Sequence, residues 1–420
     1  MKKKFFMMLG IAVLLLFGCG KQEKMKVYIV EEDALYESAI LKYVQENPKT
    51  QIEVEYFQTY DEVNDRLKTE LLSGGGPDVI LFNSFYSKED IYKLATSGSL
   101  LELDHMIEDL SDEEYYKKIL NAGILNDNQY FLPLSWNVLQ AYSKQETKNE
   151  NIYDTFVQKE DDIKNLDGVG LTSLQLLRSD WMNVFFEAMG VQIFDVQTGE
   201  VLADKDEVLN ALEFTKIIYD DTAKRKEITG KYSQDFAGAV SHLEFLTENF
   251  SFLHNIRYYE TVYPVYTGKE MNVSIFSNQG NDGITAQIVQ YGAINANTEY
   301  VEEAWAFLKY ILDMPVTMSF EKYDMNTAYY APVKKETYQD CVDVLNKQAG
   351  PGPSMKVGPL SDEYANWLNE VPEQVSNAKI PNVVYGAMLQ ECLVPYLKGE
   401  EDFETCYSTL VQKTKLYLSE

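Results

Sequence analysis

Ser73-Gly74-Gly75-Gly76-Pro77-Asp78-Val79-Ile80-Leu81-Phe82 stops a helix and starts a strand in one short stretch. Upstream, Tyr60 to Ser73 carries Val63, Leu67, Leu71 and Leu72 on one side, the spacing of a helix with one buried face. The glycines and Pro77 cannot continue that helix, and Asp78 to Phe82 is an apolar run of strand formers. Working outward, Ile52, Val54 and Tyr56 alternate against Glu53 and Glu55, which predicts a half-buried strand over Gln51 to Phe57. Tyr36, Ile40, Tyr43 and Val44 form a second helical stripe that ends at Asn47-Pro48, and Lys26 to Val30 reads as a buried strand. Strand, helix, strand, helix, strand with these short connections predicts right-handed parallel crossovers in an α/β lobe. Ligands of such sheets collect beyond the carboxyl ends of the strands, here Glu31 to Asp33, Gln58-Thr59 and Asn83 to Tyr86. The glycines themselves are not a phosphate cradle. No Gly-Lys-Ser/Thr follows them, and the order helix to strand is the reverse of a phosphate-binding loop.

The first residues set the compartment. Lys2, Lys3 and Lys4 precede an uncharged apolar run, Phe5 to Phe17, which is short for a membrane span and has the make-up of an export signal. Leu16-Phe17-Gly18-Cys19 resembles the lipobox of bacterial lipoproteins, which implies a signal peptide over 1–18, lipid attachment at Cys19 and a tether over 19–25. Two or more acyl chains there would anchor the chain stably; an ordinary export signal with an incidental Cys19 is the alternative. What remains, about 400 residues, exceeds what one hydrophobic core usually serves, so two lobes of about 200 residues are expected. The formal net charge of -29 repels phosphate backbones and anionic lipid, so nucleic acid is not an expected partner and membrane contact is expected through the lipid alone. Beyond Cys19 there are Cys341, Cys392 and Cys406, an odd number read as buried thiols, with a Cys392 to Cys406 bridge as the alternative. His105, His242 and His254 are scattered and no cysteine spacing suggests zinc, so no metal or cofactor is expected.

Further blocks carry a family resemblance. Ser73 to Val79, Leu100-Leu101-Glu102-Leu103-Asp104, Gln129 to Leu134, Val138 to Lys144, Gly292 to Thr298 before Glu302 to Ile311, and Tyr330-Ala331-Pro332-Val333 occur in this order. Together they resemble the "GxxPDV", "L-x-x-L-D", "Y-x-L-P" and "E-A-W-x-F-L-K" blocks of the family 1 extracellular solute-binding proteins, the sugar-binding components of ABC importers. The resemblance implies a two-lobe, periplasmic-binding-protein-like (type II) α/β fold, with crossing segments as hinge and a cleft between the lobes. It places the crossings near Trp136 to Tyr142, Tyr259 to Tyr266 and Asp313 to Pro315. Lobe one is then 26–139 plus 264–312, and lobe two 140–263 plus 313–420. The implied role is capture of a carbohydrate, an oligosaccharide by expectation, by a monomeric lipoprotein that delivers it to an ABC permease without covalent chemistry.

A neutral sugar offers hydroxyls on its edges and a C–H face, so its site needs planar hydrogen-bonding side chains and aromatic platforms. The thirty tyrosines make position the only discriminator. Trp136 at the first hinge is a candidate stacking face and Asn137 a hydroxyl reader; a core role for Trp136 is equally open. Asn83, Phe85 and Tyr86 follow the third strand, and Glu32 and Asp33 the first, where Asp33 also suits a helix cap. Trp181 opens a helix in lobe two, Asn278 and Gln279 precede Ile284, and Trp367 is either a lid or a core side chain. Other solutes remain open: ferric iron through Tyr258-Tyr259 or Tyr329-Tyr330, a polyamine or a peptide. A glycoside hydrolase would need paired carboxylates across a sugar, which 66 acidic residues supply by chance. A surface scaffold without a solute is the remaining alternative.

Overall fold

The computed structural model describes residues 24–30, 34–84, 87–143, 170–171, 181–195, 198–229, 251–253, 272–275, 283–314, 317–320, 325–328, 331–347, 350–351, 356–359 and 362–419. The expected alternation is realised as β1 (Met25–Val30), α1 (Ala34–Glu46), β2 (Ile52–Phe57), α2 (Tyr60–Leu72) and β3 (Val79–Asn83), with β1 parallel to both β2 and β3. The Thr59 hydroxyl accepts the Glu62 N–H and caps α2. At the other end the N–H groups of Gly74 and Gly75 satisfy the carbonyls of Leu71 and Glu70. The turn is then pinned from outside: the Asn295 amide donates to the carbonyls of Gly75 and Pro77 at 2.8 and 3.0 Å, and the Lys26 N–H donates to the Asp78 carboxylate at 2.6 Å.

Downstream come α3 (Ile91–Thr96), β4 (Leu132–Asn137), β5 (Gln140–Ser143), β6 (Gly170–Leu171), α4 (Trp181–Ala188), α5 (Lys205–Thr229), β7 (Ser251–Leu253), β8 (Asn272–Ile275) and β9 (Ile284–Ile294). They are followed by α6 (Val301–Asp313), β10 (Ala331–Pro332), α7 (Lys335–Lys347), α8 (Asp362–Gln374), β11 (Val375–Lys379), α9 (Val383–Leu397) and α10 (Phe403–Ser419). Among the described residues a seven-stranded sheet runs β10-β4-β9-β3-β1-β2, with β11 paired to β9. A second, four-stranded sheet runs β8-β5-β7-β6. Strand β9 is antiparallel to β3 and β4, so its first residues lie at the carboxyl edge of the parallel strands.

The described residues form two hydrophobic cores. The first holds β1, β3, β4, β9 and α6; the second is built on α4, the first half of α5, α9 and α10. Val138 belongs to the first core and Leu139 to the second, so the chain passes from one core to the other there. The return differs from expectation. Strand β8 pairs with β5 in the second sheet and β9 lies in the first, so the chain returns between 275 and 284, after Tyr259 to Tyr266, which lie outside the described residues. Nor does the chain leave the first core at Asp313 to Pro315: β10 pairs with β4, and Val333, Tyr338, Val342, Leu368, Val371 and Val375 all pack in the first core. The last crossing runs from Ile380, in the first core, to Tyr385, in the second. Periodicity gives the type of each element, whereas its sheet partner is decided by tertiary packing. Cys341, Cys392 and Cys406 are free, buried thiols, as expected. No helix among the described residues is long and apolar enough to cross a membrane.

Candidate functional site

Beyond the carboxyl edge of the first sheet lies a pocket of about 240 Å³ with one wall from each core. Tyr92 of α3, Thr285 at the start of β9, and Asn377 and Lys379 of β11 form the first wall. Asn183 and Glu187 of α4, Phe194 beyond it, and Tyr385 of α9 form the second. On α4 the polar pair is spaced i, i+4 and therefore shares one face, where the Asn183 amide donates to the Glu187 carboxylate at 3.0 Å. Met182, Phe185, Phe186 and Ala188 of the same helix are apolar and buried in the second core. Gly190 ends it at φ 75°, a left-handed conformation that favours glycine, and the Val191 N–H returns to the Phe186 carbonyl at 2.8 Å. This turn brings Phe194 back against Tyr385, ring centroids 4.4 Å apart, and edge-on to Tyr92 at 5.8 Å. On the facing wall, Gly283 leads into β9 at φ 95°, and a Cβ there would meet the Gln374 carbonyl oxygen at 2.8 Å.

One carboxylate and one ammonium line the pocket, so its charge balances within a strongly acidic chain. Burial pushes the Tyr92 phenol far above its usual range, with Glu187 and Asp90 adding to the effect, and burial does the same to Tyr385. Both phenols stay neutral at physiological pH. Amide, hydroxyl, ammonium and carboxylate groups beside an aromatic corner suit a small uncharged molecule rich in hydroxyls. Among the described residues no group of three or more His, Cys, Asp or Glu side chains stands ready for a metal. A second cavity, about 20 Å³, sits at the ends of β1 and β3, bordered by Tyr36, Tyr60, Asn64 and Asn83; it has room for little more than a water.

The sequence candidates fare unevenly. Trp136 is 1% exposed, donates its indole N–H to the Pro332 carbonyl at 2.9 Å and stacks on Tyr338, so it is a core side chain and offers no face to a sugar. Asn137 is also buried, at the end of β4, in register with Gln287. Asn83 lines the small cavity, and Trp367 is half-buried against the first core. Trp181 starts α4, although its side chain is outside the described set. Glu32, Asp33, Phe85, Tyr86, Asn278, Gln279 and Cys19 lie outside the described residues, as do Tyr258, Tyr259, Tyr329 and Tyr330. Among the described residues, none of the candidates lines the larger pocket. Its residues left a trace all the same: Asn183 and Glu187 interrupt an apolar helix at i, i+4, and Thr285 interrupts an apolar strand.

Comparison with known proteins agrees with this architecture. A family model described as bacterial extracellular solute-binding protein matches residues 28–318. No curated protein matches the chain. Among solved structures, the GacH receptor of Streptomyces glaucescens, studied unliganded and with acarbose, is 14% identical at a TM-score of 0.58, covering 95% of this chain and 100% of that one. An ABC substrate-binding protein of Listeria monocytogenes in complex with cycloalternan is 14% identical at 0.57, covering 94% and 98%. A family 1 extracellular solute-binding protein of Alicyclobacillus acidocaldarius is 12% identical at 0.57, covering 95% and 100%. Two hydrophobic cores, a pocket with a wall from each, and a family match over most of the length lead to one assignment: the chain belongs to the bacterial extracellular solute-binding protein family.

Proposed function

We propose that this protein captures an oligosaccharide between its two lobes and passes it intact to an ABC permease, held at the outer face of the membrane by lipid on Cys19. Members of the family work outside the cytoplasm, bind small solutes and deliver them to such permeases. The observation that carries the carbohydrate reading is the pocket walled by both cores, with its balanced charge, planar amides and aromatic corner. Its volume has room for one sugar ring, which would seat an end of a longer chain there. Each wall alone leaves half of a ring in water, so a solute gains its full set of contacts only when the walls meet. Binding then shifts the balance of open and closed forms by the difference in affinity between them.

Calorimetric titration with a panel of linear and cyclic glucans, including acarbose and cycloalternan, tests this. At least one member is expected to bind saturably. Asn183→Ala and Lys379→Met are each expected to weaken it about tenfold, the worth of one lost buried hydrogen bond. A panel without a binder, or binding that ignores both substitutions, refutes the assignment of solute or of site respectively. Cys19→Ser is expected to move the protein from the membrane fraction to the soluble one; unchanged fractionation contradicts the anchor.

A further inference from the structure

Three side chains from three places meet beside the pocket. Asp90 caps α3 in the first core, its Oδ1 accepting the N–H groups of Tyr92 and Lys93 at 3.1 and 3.3 Å. The same oxygen accepts the Asn382 amide at 3.0 Å and the Tyr417 hydroxyl at 2.9 Å. Asn382 sits on the last crossing segment and is 1% exposed; its carbonyl oxygen caps α9 by accepting the Tyr385 N–H at 3.0 Å. Its second amide hydrogen goes to the Tyr417 hydroxyl, also at 3.0 Å. Tyr417 belongs to α10 and packs on the second core. Each donor in this triangle is matched to an acceptor, and a cap alone would need only the Asn382 oxygen. Around it, the Lys93 ammonium lies 5.3 Å from the Tyr417 ring centroid, and Phe194 makes edge contact with that ring at 5.9 Å.

We propose that Asp90, Asn382 and Tyr417 form a clasp that holds the lobes at the angle where the pocket has both its walls, with Asn382 as a positioning residue for solute capture. Asn382 lines the pocket, yet both its amide hydrogens are committed to Asp90 and Tyr417, so it acts on a solute through the clasp. Separating α3 from α10 breaks the bond from Tyr417 to a carboxylate, one of the stronger kinds of hydrogen bond. Loss of the clasp therefore favours separated lobes even with no solute present. The inference depends on the two-core geometry alone and holds whatever the solute is.

The test reads the interlobe distance of the solute-free protein. Paramagnetic labels are placed on Glu53→Cys, in the first lobe, and Ser408→Cys, in the second, in a Cys19→Ser background, where the remaining native thiols are buried. Asn382→Asp keeps a capping oxygen for α9, removes both amide donors and sets a second carboxylate against Asp90. It is expected to shift the ratio of long to short distances about tenfold toward long. The double variant D90N/N382D exchanges donor and acceptor, keeps both caps, and is expected to restore the parent distribution. An unchanged distribution in N382D overturns the proposal, and so does a shift that the double variant leaves in place. Should N382D fail to fold by circular dichroism, Tyr417→Phe replaces it: the same shift is expected, and no shift overturns the clasp.

Discussion

The indole of Trp136 lies flat over Tyr338, centroids 5.8 Å apart, with its N–H committed to Pro332. Trp136→Ala should therefore cost about 3–5 kcal/mol of stability in denaturant unfolding, the usual range for emptying a large aromatic site. Aromaticity at a hinge made Trp136 attractive in the sequence, and burial removes it from the surface a solute could touch. The thiols give a prediction with a pH axis. Burial pushes Cys341 and Cys392 up to about 11, so the folded state favours the neutral thiol more than the unfolded chain does, where a thiol titrates near ~8.5. The resulting stabilisation is fully present below the unfolded value and is lost as pH rises through the folded one. The thermal midpoint should thus hold between about pH 6 and 8 and fall between about 9 and 11. At pH 8 iodoacetamide should leave Cys341, Cys392 and Cys406 untouched in the native protein and alkylate all three once it is unfolded.

At the scale of elements, the helix stop at Ser73 to Pro77 and the alternation around it were legible because glycine, proline and the two apolar periods act locally. Sheet membership was not legible. β8 and β9 are both short on charge and rich in strand formers, yet one pairs with β5 in the second sheet and the other with β3 and β4 in the first. The same holds for β10, whose residues Ala331-Pro332 are expected in the other lobe but pair with β4 in the first sheet. Helix α4 supplies the sharpest test at this scale, since its closing turn sets where Phe194 stands. Gly190→Ala puts a Cβ at φ 75° and should cost about 1 kcal/mol or more. It should also weaken solute binding more than an equally destabilising change in α1, which a comparison of melting and titration would reveal.

For the molecule as a whole, the strong net negative charge keeps the body away from anionic surfaces, and the two cores supply the two jaws. The residues of the pocket were hidden from the sequence for a physical reason. The pocket is assembled from α3, α4, β9, β11 and α9, elements far apart in the chain, and each contributes one or two polar side chains that look incidental where they stand. Fold and family could be read from blocks in order, because each block is local. Which side chains face one another across the gap depends on crossings that the blocks do not mark. Small-angle scattering of the purified protein with and without the best-binding glycan tests capture by closure most directly. The expected result is a smaller radius of gyration at saturation, with the glycan recovered unchanged; an unaltered profile at saturation, or a glycan recovered as fragments, would contradict it.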